Sequence, residues 1–374
     1  MNSDTLVIGA GPAGLAVAGC LVQQGLQPQV IDEAQEVASS WRAHYEHLHL
    51  HTVKSHSALP GVPFAKTLPR YVPRQAVVDY MAAYAGLHQI KPDFGERAVA
   101  ITPQSGGWKT TTQTGRHYVS SSVVLATGAN RHPRVPVFPN QASFTGKVLH
   151  SHAYRDASLF IGQRVLVVGM GNTGAEIALD LVAQGVRAAL SVRSPLNIVY
   201  RDILGRPTQL TAMALARLPS AWGDAAARVV RDLTVGDLTR WGIRTSPMSP
   251  MKQLREHGKT PLIDIGTLAR IKRGDIKVHP GIEMFTKTGL RFLDGSESNF
   301  DAVILATGYE ARINQLFPET PVVVDANGMP CEVVGSGAMA GVYFVGFDLR
   351  KAGGVLRTIG LQARQVASEI NAST

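Results

Sequence analysis

Two glycine-rich turns carry the residues with the clearest chemical meaning. Gly9-Ala10-Gly11-Pro12-Ala13-Gly14 follows the apolar run Leu6-Val7-Ile8, and Gly169-Met170-Gly171-Asn172-Thr173-Gly174 follows Val165-Leu166-Val167-Val168. A strand that enters such a turn and leaves as a helix brings unpaired backbone N–H groups and the positive end of the helix dipole to one point, which suits a pyrophosphate. The first glycine permits the tight turn, the second lets the pyrophosphate approach the backbone, and the third lets the helix pack on the strand. About 20 residues beyond each turn comes a residue that reads the ribose. After the first turn, Gln29-Val30-Ile31 ends in Asp32; after the second, Leu190-Ser191-Val192 ends in Arg193. An acid accepts hydrogen bonds from a ribose diol, whereas an arginine suits a 2′-phosphate. The two turns together predict one chain holding FAD and NADPH.

Several elements must position these turns. The spacing of apolar residues predicts a helix from Ala13 to Gln24 that stops at Gly25 and buries Cys20. A loop-rich, proline-bearing stretch runs from Trp41 to Arg74, and a short helix follows over Gln75 to Ala85. The alternation in Gly107 to Thr111 and in Arg116 to Tyr118 predicts a small antiparallel excursion. Ser122-Val123-Val124-Leu125 then ends in Ala126-Thr127-Gly128. That ending recurs where Asp301 to Leu305 runs into Ala306-Thr307-Gly308 and Tyr309. Two fingerprints and two Ala-Thr-Gly strand ends form an internal repeat.

The expected fold class is α/β, with two nested Rossmann-like dinucleotide-binding domains. The first part of an FAD domain covers 1–155, an inserted NADPH domain 156–300, and the rest of the FAD domain 301–374. Pro133 to Pro139 reads as the outgoing linker. A helical insertion is expected over 204–239; its uncharged stretch Gln209 to Ala216 reads either as domain packing or as a lid over an apolar pocket. The candidate contacts of the first dinucleotide are Gly9, Gly11, Pro12, Ala13, Gly14, Asp32, Glu33, Trp41, Arg42, Val99, Ala126, Thr127 and Gly128. Those of the second are Gly169, Gly171, Asn172, Thr173, Gly174, Ser191 and Arg193, and Ala306, Thr307, Gly308 and Tyr309 are further cofactor-binding candidates. Asn172 and Thr173 are expected to donate to the cofactor, and Ser191 to help Arg193 hold the phosphate.

Composition narrows the class. The 374 residues exceed what one core usually organises, and an apolar fraction of 45% is that of a soluble globular protein. The net charge of +9 reads as a solvated basic surface or as attraction for anionic ligands. No basic block with interleaved aromatics suggests nucleic acid. Cys20 and Cys331, the only cysteines, lie too far apart for a secreted disulfide framework, so a reducing, cytoplasmic setting is expected. There is no apolar run of the ~18 residues a membrane span needs, and neither a signal peptide nor an apolar tail anchor is expected. A small-molecule substrate and O₂ are the expected partners, with a homodimer allowed. His44, His47, His49, His51 and His56 invite a metal reading, but no cysteine or carboxylate cluster in the sequence completes a site, so none is expected.

Phe144-x-Gly146-x-x-x-His150-x-x-x-Tyr154 lies just before the second fingerprint. Read from its residues alone, it is an ordered linker with His150 and Tyr154 at helical spacing. The pattern resembles the identifying sequence of class B flavin-dependent monooxygenases, and Leu305 to Tyr309 resembles that group's second signature. Within the class the chain is most similar to the YUCCA branch, the indole-3-pyruvate monooxygenases. Glu46 to His51, Gly258 to Leu268 and Ile271 to Val278 carry that match, and the resemblance runs nearly end to end.

The resemblance implies a two-stroke reaction. NADPH reduces the flavin, NADP stays bound, and O₂ adds to give a flavin C4a-(hydro)peroxide that oxidises the substrate. A 2-oxo acid such as indole-3-pyruvate would lose CO₂ and leave a shortened acid. Many members place an asparagine near the flavin in the segment matching Leu50 to Lys54; here His51 and Lys54 stand there and become the catalytic candidates. The alternatives are N- or S-oxygenation, Baeyer–Villiger oxidation, and NADPH-dependent electron transfer to a protein acceptor. A flavin disulfide reductase would need a cysteine pair beside the flavin, which Cys20 and Cys331 do not form.

Overall fold

Short, continuous apolar runs such as Leu6-Val7-Ile8 and Val165 to Val168 become strands buried on both faces, the expected state of a parallel sheet covered by helices. The computed structural model describes residues 4–373. Two compact units divide them. The first takes the chain to Ala43, then Thr52–His132, then everything from Tyr309 onward; the second takes His44–His51 and Pro133–Gly308.

The first unit is built on a five-stranded parallel sheet. Its order is Val342–Phe344, Ser122–Leu125, Thr5–Ile8, Gln29–Asp32 and Asp93–Phe94. The second is built on another, in the order Lys277–His279, Arg187–Ser191, Arg164–Val168, Ala302–Leu305 and Lys147–His150. The strand entering the fingerprint is central in both sheets. Each unit also has a three-stranded antiparallel meander just before its Ala-Thr-Gly strand: Ala98–Gln104, Gly107–Thr112 and His117–Ser120 in the first, Ile282–Phe285, Gly289–Phe292 and Glu297–Asn299 in the second. The repeat seen in the sequence thus extends to whole strands.

The division of the chain differs from the sequence reading at both ends of the insertion. Ala302–Leu305 was assigned to the returning first domain, but it pairs in register with Arg164–Val168 and Lys147–His150 in the second sheet. The returning chain begins at Tyr309, and Pro133 to Pro139 lies inside the second unit. A buried parallel strand is an apolar run whichever sheet receives it, so local pattern does not specify the partner. The helices fall close to expectation, at Pro12–Gln23 and Arg74–Leu87. Among the described residues, no helix is long and apolar enough to cross a membrane.

Arg164 and Asp301 register the start of the second sheet. The Arg164 guanidinium and backbone N–H both donate to the Asp301 carboxylate, at 2.8–3.0 Å, and hold its pKa down at about 2. The helical insertion comprises Thr208–Leu215 and Ser220–Val235. Its anchor is Arg231, only 5% exposed. The Arg231 guanidinium donates to Asn197 Oδ1 (2.6 Å), the Ser246 carbonyl (2.9 Å), the Met248 carbonyl (3.1 Å) and Asp232 Oδ1 (2.8 Å). Replacing Arg231 with methionine strands those acceptors, and unpaired buried acceptors are costly. We expect a loss of about 2–5 kcal/mol in chemical denaturation. An unchanged midpoint and slope for Arg231→Met would remove Arg231 as the anchor.

Candidate functional site

The first fingerprint has the geometry its glycines require. Gly9 has φ +114°, and a Cβ there would stand 2.5 Å from the Ala126 carbonyl oxygen. A Cβ on Gly14 would stand 1.7 Å from the Gly9 carbonyl oxygen, so the helix can meet the strand only through a glycine. A Cβ on Gly11, in contrast, would meet no protein atom within 4 Å. The helix begins at Pro12, a residue suited to the first turn, and Gly11 provides no side-chain cap. The Ala10 peptide is gripped at both ends. Its N–H donates to Asp32 Oδ2 (2.5 Å), and its carbonyl accepts from Ala38 N (3.0 Å), where Ala38 adopts φ +60°.

Asp32 Oδ1 accepts from Ala34 N at 2.8 Å. Two of the carboxylate's roughly four acceptor directions are therefore used by the loop, and two remain for a ribose diol. The Thr127 hydroxyl, beside the Gly9 turn, is buried and has no protein partner. Uncapped first-turn amides, open space over Gly11, an acceptor-rich Asp32 and an orphaned hydroxyl together fit a dinucleotide such as FAD. Gly128, at φ +83°, completes the turn after the strand. The remaining candidates are less committed to this point. Glu33 pairs with Arg131 (2.7 Å) and Arg97 (3.5 Å), and Arg42 pairs with Glu36 (3.1 Å). Trp41 lies on the short helix Ser39–Arg42, and Val99 is exposed on Ala98–Gln104.

The second fingerprint repeats this geometry. A Cβ on Gly169 (φ +97°) would approach the Ala306 carbonyl to 2.7 Å, and one on Gly174 the Gly169 carbonyl to 2.0 Å, while Gly171 is open. The helix Asn172–Ala183 starts uncapped at Gly171, and Thr173 is half-buried in its first turn. Arg193 is exposed, and among the described residues its side chain has no ion pair. The Arg244 guanidinium donates to the Arg193 carbonyl at 2.7 Å, which brings a second cation to the strand end. Sequence reading missed Arg244, because nothing local marks an arginine so far along the chain. Uncapped amides and two arginines suit a dinucleotide bearing a 2′-phosphate.

Three sequence assignments are corrected. The Asn172 side chain is engaged within the unit: its Oδ1 accepts from Ile263 N (2.7 Å) and its Nδ2 donates to the Pro261 carbonyl (3.4 Å). The Ser191 hydroxyl is buried and donates to the Pro280 carbonyl (2.7 Å), so its hydrogen is committed within the unit. Lys54, expected as a catalytic candidate, is engaged as a staple. Its ammonium donates to the carbonyls of Ala65 (3.2 Å), Lys66 (2.7 Å) and Leu68, which accounts for all three of its protons.

The stretch Gly258 to Leu268 also gains a physical role. Leu262–Asp264 pairs in parallel with Ile198–Tyr200, Asn172 holds it at Pro261 and Ile263, and the Thr267 hydroxyl donates to the Ala175 carbonyl (3.0 Å). It braces the second fingerprint helix. Burial pushes the Asp264 carboxyl up, against the lowering effect of N–H donors from Gly266 to Leu268.

The Phe-x-Gly-x-x-x-His-x-x-x-Tyr residues stitch the second unit together. Phe144 packs against Phe285 with ring centres 5.4 Å apart, and a Cβ on Gly146 would strike both the Phe144 ring and the Asp301 carbonyl. His150 ends a strand, with Tyr154 beyond a single 3-10 turn, so the two do not share a helix face. His150 Nδ1 accepts from His152 N (3.1 Å), which leaves Nε2 to donate to the Gly308 carbonyl (3.2 Å). Burial lowers the His150 pKa. The Tyr154 hydroxyl donates to Asp180 Oδ2 (2.6 Å), and burial raises its pKa. The Thr307 hydroxyl donates to the Arg134 carbonyl, and Tyr309 begins the two-residue strand Tyr309–Glu310. His51 Nε2 lies 2.7 Å from Glu176 Oε1.

A family model for flavin-binding monooxygenase-like proteins matches residues 3–368. The chain belongs to that family. It is an NADPH-dependent flavin monooxygenase, with FAD and NADPH as cofactors. Relatives include indole-3-pyruvate monooxygenase YUCCA1 of Oryza sativa subsp. japonica, 37% identical over 82% of this chain and 77% of that protein. Indole-3-pyruvate monooxygenase YUCCA6 of Arabidopsis thaliana is 35% identical over 98% of this chain and 89% of its own. The fold is similar to that of a flavin-containing monooxygenase from Stenotrophomonas maltophilia, with TM-score 0.74, 22% identity and coverage of 100% and 99%. It is also similar to cyclohexanone monooxygenase, with TM-score 0.75, 18% identity and coverage of 100% and 88%.

The glycines give a paired test. A Cβ at Gly11 meets no protein atom within 4 Å, so Gly11→Val should fold yet lose most of the wild type's roughly one FAD per chain. Gly14→Ala drives a methyl into the Gly9 carbonyl and should impair folding itself. Full FAD occupancy in folded Gly11→Val would show that the flavin lies elsewhere.

Proposed function

We propose that the chain oxidatively decarboxylates an aromatic 2-oxo acid such as indole-3-pyruvate, using nested Rossmann-like domains for FAD and NADPH. The balance is substrate plus NADPH, H⁺ and O₂ giving the acid one carbon shorter, CO₂, NADP⁺ and water. The observation that carries the substrate assignment is the similarity to proteins named indole-3-pyruvate monooxygenases, at 37% and 35% identity over most of the chain.

The bound flavin supplies the activation of O₂ once NADPH has reduced it. The protein's own residues bind and orient. Amides of the Gly11 turn would hold the FAD pyrophosphate, and Asp32 a ribose diol. Amides of the Gly171 turn would hold the NADPH pyrophosphate, while Arg193 and Arg244 would hold its 2′-phosphate. Each charge-assisted contact of that kind is worth roughly 1.5–3 kcal/mol. The helical insertion offers apolar surface for an aromatic ring: Trp222 is 74% and Leu233 81% exposed. The net charge of +9 favours an anionic substrate.

Incubating indole-3-pyruvate with the enzyme, NADPH and O₂ should give indole-3-acetic acid in proportion to the NADPH consumed. Catalase must be present, because free hydrogen peroxide also decarboxylates 2-oxo acids. Loss of the product on adding catalase, with NADPH oxidation continuing, would remove the substrate assignment and redirect the search to amines, sulfides and ketones.

A further inference from the structure

A helix packed on one side against its domain buries one stripe of residues, while the opposite stripe meets solvent and is usually polar. The helix Ser220–Val235 of the insertion keeps only half of this rule. Gly223, Ala227, Arg231 and Val235 repeat every fourth residue and are buried. The outward face is apolar: Trp222 is 74% exposed, Val229 55% and Leu233 81%, with Ala226 half-buried among them. The preceding helix, Thr208–Leu215, has no charged residue and no buried one, and Leu218 in the turn between the two helices is exposed. Over 207–227 the only charged residues are Arg217 and Asp224, and Asp224 is held by Arg255 at 2.7 Å.

Contiguous exposed apolar residues mark contact surfaces. From Trp222 to Leu233 the stripe runs about 16 Å at 1.5 Å per residue, longer than one aromatic ring, so a single small molecule does not cover it. The order of its residues indicates what does. The steps from Trp222 to Ala226, Val229 and Leu233 are four, three and four residues, the same read from either end. A two-fold interface needs a surface complementary to itself. Two copies of this helix laid antiparallel put Trp222 level with the partner's Leu233, and Ala226 level with the partner's Val229. Each large side chain then meets a large one, and the small alanine leaves room for the valine.

Charge agrees with that arrangement. The stripe itself holds no charged residue. Asp232 is exposed beside it and comes level with the first turn of the partner helix, a turn that has no acidic residue and no side-chain cap. A carboxylate is favourable at that positive end of a helix dipole. Two copies that each carry a net charge of +9 repel one another, and they approach at least cost on a face short of cations.

We infer that the outward face of Ser220–Val235 is the contact between two copies of this chain, an antiparallel helix pair about a two-fold axis. The helix offers a face about 24 Å long and about 10 Å wide, well short of the ~800 Å² per partner of a standard interface, so the association is weak and reversible. The inference is independent of the substrate and cofactor readings.

Sedimentation of the FAD-loaded protein, from low micromolar to near-millimolar concentration, tests it. The wild type should pass from a 40.0 kDa particle toward twice that mass as concentration rises. Val229→Glu places two carboxylates near the axis and should stay monomeric throughout, with the wild type's FAD content showing that it is folded. A cross-linking experiment tests the register. In a Cys331→Ser background, which removes the exposed native thiol, Ala226→Cys and Val229→Cys are treated with a short bismaleimide. The mixture of the two variants should cross-link several-fold more than either alone, because residue 226 faces residue 229 and not itself. A wild type of constant 40.0 kDa, a Val229→Glu protein that dimerises as the wild type does, or single variants that cross-link as well as their mixture would each overturn the inference.

Discussion

In each unit the last glycine of the fingerprint rests directly against the carbonyl of the first. A Cβ at Gly14 or Gly174 would lie 1.7 or 2.0 Å from that oxygen, far inside van der Waals contact. This contact fixes where the helix begins relative to the end of the central strand, and so where its first amides point. The open side over Gly11 and Gly171 follows from the same geometry. The sheets and meanders of each unit bring the Ala-Thr-Gly turn to that point, with Ala126 and Ala306 crowding the first glycines.

The two units use the common turn differently through a few polar residues. In the first, Asp32 both clamps the Ala10 peptide and presents acceptors. In the second, Arg193 and Arg244 bring positive charge to the corresponding strand end. The second helix is braced by side chains from distant segments: Asn172 to Pro261 and Ile263, Thr267 to Ala175, and Tyr154 to Asp180. Such contacts hold a first turn rigid enough to serve as a binding surface.

Much of this was legible in the sequence because its causes are local. The fingerprints, the acid and arginine after them, the Ala-Thr-Gly strand ends and the antiparallel excursion each depend on neighbouring residues. Lys54, Asn172 and Ser191 were misread because their partners at 65–68, 261–263 and 280 are not marked by any local pattern. The domain boundary failed for a related reason: Ala302–Leu305 reads the same whichever parallel sheet it enters. His51 and Glu176, paired across the sequence, had the same obscurity, and only the first was singled out.

The central claim is that one chain holds two dinucleotides at two separate turns. Titrating the FAD-loaded protein with NADP⁺ and with NAD⁺, while recording flavin absorbance and heat, tests it most directly. About one equivalent of NADP⁺ should bind with no release of FAD, and NAD⁺ should bind far more weakly because Arg193 and Arg244 have no phosphate to meet. Displacement of FAD by NADP⁺, or failure of NADP⁺ to bind the flavin-loaded chain, would contradict it.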